Sequence, residues 1–232
     1  MDTEFPGVIE KIYGDFEDSI ERQYHCIKTN VDACRLIQVG FTFFDVNGDV
    51  VHVDHISTLQ FNLKWNLQSE PHSTESIQLL RDGGFNFAKL RSDGVDSNEL
   101  AEALIGAGLL LNDQLTWITF HSVYDFAYLM KLCNNWTQMP DKVSIYERQL
   151  NLFFPRIVDL KCLMCDRGYC RGGLQTLADS FHVKRKGTRH QAGSDSLLTG
   201  ETYFQFVEMH YKGILKPELL NLVFGFNHQT YF

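Results

Sequence analysis

Four acidic side chains and one imidazole stand in three short motifs of this chain: Asp2-Thr3-Glu4, Tyr124-Asp125, and His190-Gln191-Ala192-Gly193-Ser194-Asp195. In a strand, side chains two residues apart leave the same face about 7 Å apart along the chain, so Asp2 and Glu4 can converge on one object. Two hard divalent cations about 3.5 to 4 Å apart need carboxylate oxygens from several elements, and an attacking water needs a base. Asp125 and Asp195 offer the further carboxylates and His190 the base. Together these are the parts of a two-metal nuclease. Magnesium or manganese suits such an all-oxygen site, whereas zinc favours nitrogen and sulfur. Each motif alone has a plainer reading: a solvated strand face, a helix cap, a hydrogen-bonded histidine.

The elements that must present these groups can be read from patterning. Pro6 and Gly7 end the opening strand, and Ser19 to Asn30 predicts a helix, with a helical turn through Val31 to Leu36. Ile37 to Phe43 alternates apolar with small or polar residues, and Asn47-Gly48 predicts a hairpin, with Val50 to Thr58 an enlarged loop. Leu59, Phe61, Leu63 and Trp65 alternate with polar residues and predict a half-buried antiparallel strand. Helices are expected from Thr74 to Arg81 and from Ser97 to Ala107, the second opened by Asp96 with Glu99. Trp117 to Phe120 reads as a central strand leading into Tyr124-Asp125. Phe126, Leu129, Met130 and Cys133 then follow helical spacing, which puts Asp125 at a helix start. A strand at Ile157 to Leu160, a helix through Leu174 to Phe181, and a long helix from Ser194 toward Tyr211 complete the pattern. The expected architecture is α/β: a mixed β-sheet flanked by α-helices. Asp195 falls in the last helix's first turn, where the macrodipole favours negative charge.

With 232 residues, 44% of them hydrophobic, and no linker or internal repeat, residues 1–232 read as a single domain with a sizeable core. The acidic start and the lack of a long apolar run predict a soluble intracellular protein without a membrane span. On that basis the six cysteines are expected as reduced thiols, mostly buried, and Cys162, Cys165 and Cys170 lack the fourth ligand of a zinc site. A formal charge of -8 excludes nucleic-acid binding by the whole surface, so any such contact must be local. The one basic cluster, Lys184-Arg185-Lys186 with Arg189, reads first as a solvated loop and second as a backbone-phosphate contact. His121 and Asp159, near the expected site, read as structural hydrogen-bonding groups.

The acidic pair on a leading strand, an Asp opening a helix after a central strand, and His-Xaa4-Asp before a late helix resemble the DEDD superfamily of 3′-to-5′ exonucleases, in the subclass that carries His. Longer stretches sharpen this: Met1 to Gly7, Leu59 to Leu63, Trp117 to Ser122 with Tyr124-Asp125-Phe126, Gly172 to Gln175, and His190 to Gly200. They resemble the carbon-catabolite-repressor-associated factor family of mRNA deadenylases over nearly the whole chain. The resemblance implies an RNase-H-like, RNase-D-type fold and stepwise removal of 3′-terminal adenylates from single-stranded poly(A), with release of adenosine 5′-phosphate. It implies membership of the carbon-catabolite-repressor/Not complex, beside a scaffold and a second deadenylase, in cytoplasm and nucleus. By motif, Asp2, Glu4, Asp125 and Asp195 match the ligands of two divalent metal ions, Mg2+ or Mn2+, and His190 matches the general base. The chain departs from the family pattern in beginning at Met1, without a preceding helix and half-strand, in Val123 where relatives often carry Gly, and in a short tail. The first departure predicts a fraying strand around Asp2 and hence an alternative, a catalytically weak or inactive adaptor. The second predicts a crowded turn before Asp125. A third reading is a DEDD exonuclease for DNA or structured RNA.

Overall fold

The computed structural model describes residues 1–12 and 18–228. In chain order its elements are β1 (Asp2–Glu4), α1 (Ser19–Ala33), β2 (Gln38–Thr42), β3 (Thr58–Asn62), α2 (Thr74–Asp82), α3 (Phe87–Asp93), α4 (Ser97–Gly106) and β4 (Trp117–Thr119). Then come α5 (Val123–Cys133), α6 (Val143–Phe153), β5 (Ile157–Asp159), α7 (Leu160–Asp166), α8 (Leu174–Ser180), α9 (Ala192–Tyr211) and a 3-10 turn, Pro217–Leu219.

Strand β2 shows why these residues fold this way. Its odd members, Val39 and Phe41, enter the main core. Its even members turn to the other face, where Gln38 Oε1 accepts from Ala192 N and Thr42 Oγ1 bonds Ser196 Oγ at the start of α9. Gly40, between them, touches the backbone of Ala192, leaving no room for a side chain. Period-two alternation therefore commits one face of the sheet to apolar packing and the other to a polar seam with α9. Strand β5 alternates likewise, with Ile157 in the first core and Val158 in a second core beneath α7, α8 and α9. Helices α1, α4, α5 and α6 cover the first face through Tyr24, Leu100, Phe126 and Leu150, all essentially inaccessible to solvent. A smaller cluster of Ile37, Trp65, Ile77, Leu80 and Leu90 seats α2 and α3.

The one mixed sheet that the patterning predicts appears instead as two small sheets, one antiparallel and one parallel. β1, β2 and β3 pair antiparallel in that order, with Asp2 opposite Gly40 and Gly40 opposite Gln60. β4 and β5 pair in parallel, with Thr119 opposite Asp159. The nitrogen of Met1 donates to Ile118 O at 3.0 Å and links the two groups of strands. Met1 is 7% exposed, so β1 is anchored on both sides where the sequence predicted fraying. Val123 is buried in the first turn of α5, and the left-handed residue of the preceding turn is His121, at φ 57°.

Most other expectations match within a residue or two. Helix α1 absorbs the turn expected after Asn30 as far as Ala33, and the strand expected through Trp65 ends at Asn62, with Leu63 bridging to Val95. Helices α3, α6 and α7 are additions. The expectation of six reduced thiols is corrected: Gly168, at φ 80°, turns the chain back after α7, and Cys165 and Cys170 form a disulfide. Cys26, Cys34, Cys133 and Cys162 are free, and only Cys34 and Cys162 of these are fully buried. Among the described residues no helix is long and apolar enough to cross a membrane.

The close approach at Gly40 yields a prediction. A Cβ there would lie 2.2 Å from the carbonyl carbon and oxygen of Ala192, both fixed backbone atoms. Gly40→Ala should therefore cost about 1–3 kcal/mol in urea unfolding, the usual range for overpacking; an unchanged midpoint would show that α9 can shift freely.

Candidate metal centre

Strand β1 sends its side chains to two destinations. Asp2 and Glu4 share one face, while Thr3 points to the other and donates from both N and Oγ1 to Asp125 Oδ1, each at 2.8 Å. Asp125 lies in the first turn of α5, so the middle residue of Asp-Thr-Glu fixes the acid that follows the central strand. Asp159, at the end of β5, fixes the same turn from below. Its carboxylate accepts from the backbone N of His121 (2.7 Å), Ser122 (3.1 Å), Lys161 (3.0 Å) and Phe224 (3.1 Å). That is a structural carboxylate, as the sequence suggested. The His121 ring meets the edge of Phe224 at 4.9 Å, and burial holds its pKa below the usual imidazole value.

The third acid is delivered by the start of α9. No local side chain caps this helix. Instead Ala192 N donates to Gln38 Oε1 at 2.7 Å and Gly193 N to Gln60 Oε1 at 2.9 Å, from β2 and β3. The amide groups of both glutamines donate to Gln191 Oε1, at 3.1 and 2.9 Å, and Gln191 Nε2 donates to Gly83 O at 2.9 Å. Orphan helix donors are thus satisfied by the sheet itself, which sets the rotation and height of the turn carrying Asp195.

The outcome is a cluster of Asp2, Glu4 and Asp195 whose ligand oxygens all lie within 4.8 Å of one another. It is the only such group of His, Cys, Asp or Glu among the described residues. Two predicted members stand outside it. Asp125 is buried beside the cluster, close enough to act electrostatically on Asp2 and Glu4, but Thr3 holds its Oδ1. His190, partly exposed, lies two residues ahead of α9 with a left-handed backbone at φ 60°, packed beside Gly83.

Crowded acids resist ionisation. Burial is the first cause that raises the Asp2 pKa well above the usual carboxylate value, followed by Asp125, Glu4 and Asp195. Burial, then Asp195 and Asp125, pushes Glu4 up to about 8, with Arg185 opposing. Asp125 is raised by burial to about 6 against the pull of its Thr3 hydrogen bonds.

Arg185 is the residue that sequence reasoning misplaced. The basic cluster was expected as a solvated loop or a phosphate contact, yet Arg185 turns inward and pairs with Asp195 Oδ1 at 2.8 Å. Lys186 pairs with Glu201 at 2.6 Å. Asp195 Oδ2 is buried and has no hydrogen-bond partner. An orphaned carboxylate oxygen next to two further acids fits a hard divalent cation, which takes oxygen ligands and offsets their mutual repulsion. Thr3, Gln38 and Gln60 were also missed, although the alternation that placed Asp2 and Glu4 on one face already put Thr3 on the other.

The chain is similar to known proteins over nearly its whole length. Residues 1–104 match the family model described as CAF1 family ribonuclease. The chain is 38% identical over 225 residues to the poly(A) ribonuclease pop2 of Schizosaccharomyces pombe, spanning 97% of this chain and 66% of that protein. It is 40% identical over 222 residues to "Probable CCR4-associated factor 1 homolog 7" of Arabidopsis thaliana, spanning 93% and 80%. Among solved structures, S. pombe Pop2p in its Mg2+- and Mn2+-bound form superposes with a TM-score of 0.91 at 38% identity, over 97% of this chain and 88% of that one. CAF1 co-crystallized with the yeast NOT1 MIF4G domain gives 0.76 at 27%, over 96% and 85%.

The raised carboxylates set a pH dependence. With Glu4 near 8 and Asp125 near 6, the folded chain keeps protons that unfolded carboxylates, with ordinary values of 4.5 and 3.8, release at lower pH. The native state then binds more protons than the unfolded one, so stability falls as pH rises across that interval. In chelator, the melting temperature should drop between about pH 5 and about pH 8, and Glu4→Gln should flatten the upper part of the drop. Superimposable profiles for the two proteins would contradict the crowding.

Proposed function

The chain belongs to the CAF1 ribonuclease family, and from that premise we propose that it is a metal-dependent 3′-to-5′ exoribonuclease that shortens poly(A). The observation that carries the proposal is the convergence of Asp2, Glu4 and Asp195 within 4.8 Å, from segments nearly the whole chain apart. Asp2, Glu4 and Asp195 would hold the cations, and Asp125 would contribute through Oδ2, since Oδ1 accepts from Thr3. Mg2+ or Mn2+ suits these oxygens, and a pair of such ions supplies positive charge against the scissile phosphate and the leaving oxygen.

In the reaction a water oxygen forms a bond to the phosphorus of the terminal phosphodiester, and the bond from phosphorus to the upstream 3′ oxygen breaks. Adenosine 5′-phosphate leaves, and the shortened chain keeps a 3′ hydroxyl. His190 accepts the proton of the attacking water, a role that suits an imidazole, and a proton from solvent completes the 3′ hydroxyl, the imidazolium returning its own to solvent. What supports this role is its place two residues ahead of α9, next to Gln191, which bonds Gly83 O. The 2′ hydroxyl and stacked single-stranded adenines would give preference for RNA over DNA.

The likeness to CAF1 bound to the NOT1 MIF4G domain supports the same kind of partner here, a scaffold subunit of the CCR4-NOT complex; a second deadenylase beside it is proposed from the family resemblance alone. Cytoplasm and nucleus are the compartments proposed for that assembly.

A gel assay tests the reading. Purified protein with 5′-labelled RNA ending in adenosines should give a ladder shortening from the 3′ end with Mg2+ or Mn2+ and none with chelator. Asp2→Ala and Asp195→Ala should each lower the rate by about 10³-fold or more, as loss of a ligand to a reacting centre does. Retained scaffold binding without any ladder would point to the adaptor reading, and equal degradation of a DNA oligonucleotide to a broader exonuclease.

A further inference from the structure

We infer that Arg185 is a positioning residue of the metal centre: its guanidinium fork holds Asp195 by Oδ1 and thereby presents Oδ2 as the ligand oxygen. The inference rests on the metal-dependent reading above and concerns how that site is kept in shape. Arg185 sits on the segment between α8 and α9, and its side chain is only 11% exposed. Each arm of the fork has its own partner. Nε donates to Gln175 Oε1 on α8 at 2.6 Å, Nη1 to Ser194 Oγ at 3.1 Å, and Nη2 to Asp195 Oδ1 at 2.8 Å. Ser194 Oγ donates in turn to Lys186 O at 2.8 Å, closing the segment onto the first turn of α9. A planar guanidinium fixed at three points sets the direction from which its one N–H meets Asp195 Oδ1, which a freely rotating ammonium does not.

Charge alone argues against an arginine here. A fixed cation beside a cation site repels the incoming metal, and a partly dehydrated environment strengthens that repulsion. The arrangement makes sense if orientation outweighs repulsion. Asp195 has two oxygens and could rotate to give either to its neighbours; Arg185 occupies one and leaves the other buried without a partner. Two plainer roles compete: Arg185 as a neutraliser of surplus negative charge, and Arg185 as a staple between loop and helix.

The three roles differ in sign, so one titration separates them. Mn2+ binding to the full chain is followed by electron paramagnetic resonance for wild type, Arg185→Lys, Arg185→Met and Gln175→Ala, with melting temperatures taken in chelator. Positioning predicts Mn2+ affinity about 10- to 100-fold weaker in both Arg185 variants, the usual range for residues that orient a ligand from behind. Gln175→Ala leaves every charge in place and should give a smaller loss in the same direction; it decides the matter should the Arg185 variants fail to fold. Wild-type affinity in Arg185→Lys with tighter binding in Arg185→Met would assign mere neutralisation and overturn the inference. A lower melting temperature with unchanged Mn2+ affinity would assign the staple and overturn it equally. A wild-type chain that binds no Mn2+ would remove the metal centre itself, a failure distinct from the other two.

Discussion

Mutual repulsion of carboxylates held within 4.8 Å is the constraint on which this structure turns. Left to themselves such groups would separate or stay protonated; burial first, and the neighbouring carboxylates after it, raise the pKa values of Asp2 and Glu4. The fold must therefore over-determine their positions with interactions that do not depend on the acids. It does so from three directions. Antiparallel pairing to β2 fixes Asp2 and Glu4, the Asp159 carboxylate fixes the turn that leads to Asp125, and glutamines of β2 and β3 fix the helix start that carries Asp195.

The polar seam between sheet and α9 shows how local rules reach that end. An α-helix beginning without a local cap leaves backbone donors that cannot be buried unpaired. Here Gln38 and Gln60 accept from the first two amides, and their own amide groups converge on Gln191. The seam works only because the strand beneath it has a glycine where the helix backbone comes closest, and because Gly193 leaves room for Gln60 Oε1. Close approach, not chain flexibility, is the reason for glycine at both places.

How much could be read from sequence follows from the range of each interaction. Strand alternation, helical spacing and turn residues are local, so β1, β2, α2, α4, α5 and α9 were foreseen nearly to their ends. Helices α3 and α7 lacked a clean amphipathic signature, having seven residues each, with α7 buried along most of its length; α6 carries one, with Tyr146 and Leu150 four residues apart on its buried side, and was overlooked. Of the candidate site, the residue types were evident, but their grouping was not. That Asp125 would be held by Thr3, and that Arg185 would turn inward from a basic run, depends on packing between segments ten to more than a hundred residues apart. The Cys165–Cys170 pair escaped because redox expectations drawn from composition said nothing of the turn at Gly168.

The difference between Asp125 and the other acids bears on the chemistry of the centre. Asp2, Glu4 and Asp195 present oxygens to one another with solvent still reaching their side chains, whereas Asp125 is buried and accepts two hydrogen bonds from Thr3 on a single oxygen. A carboxylate fixed in that way cannot rotate to follow a ligand; it can offer only its remaining oxygen, in one direction. In the proposed metal centre Asp125 would thus be a fixed reference point beside the cluster. That rigidity originates in the middle residue of Asp-Thr-Glu, whose side chain the alternation of β1 sends away from the cluster and toward the helix behind it.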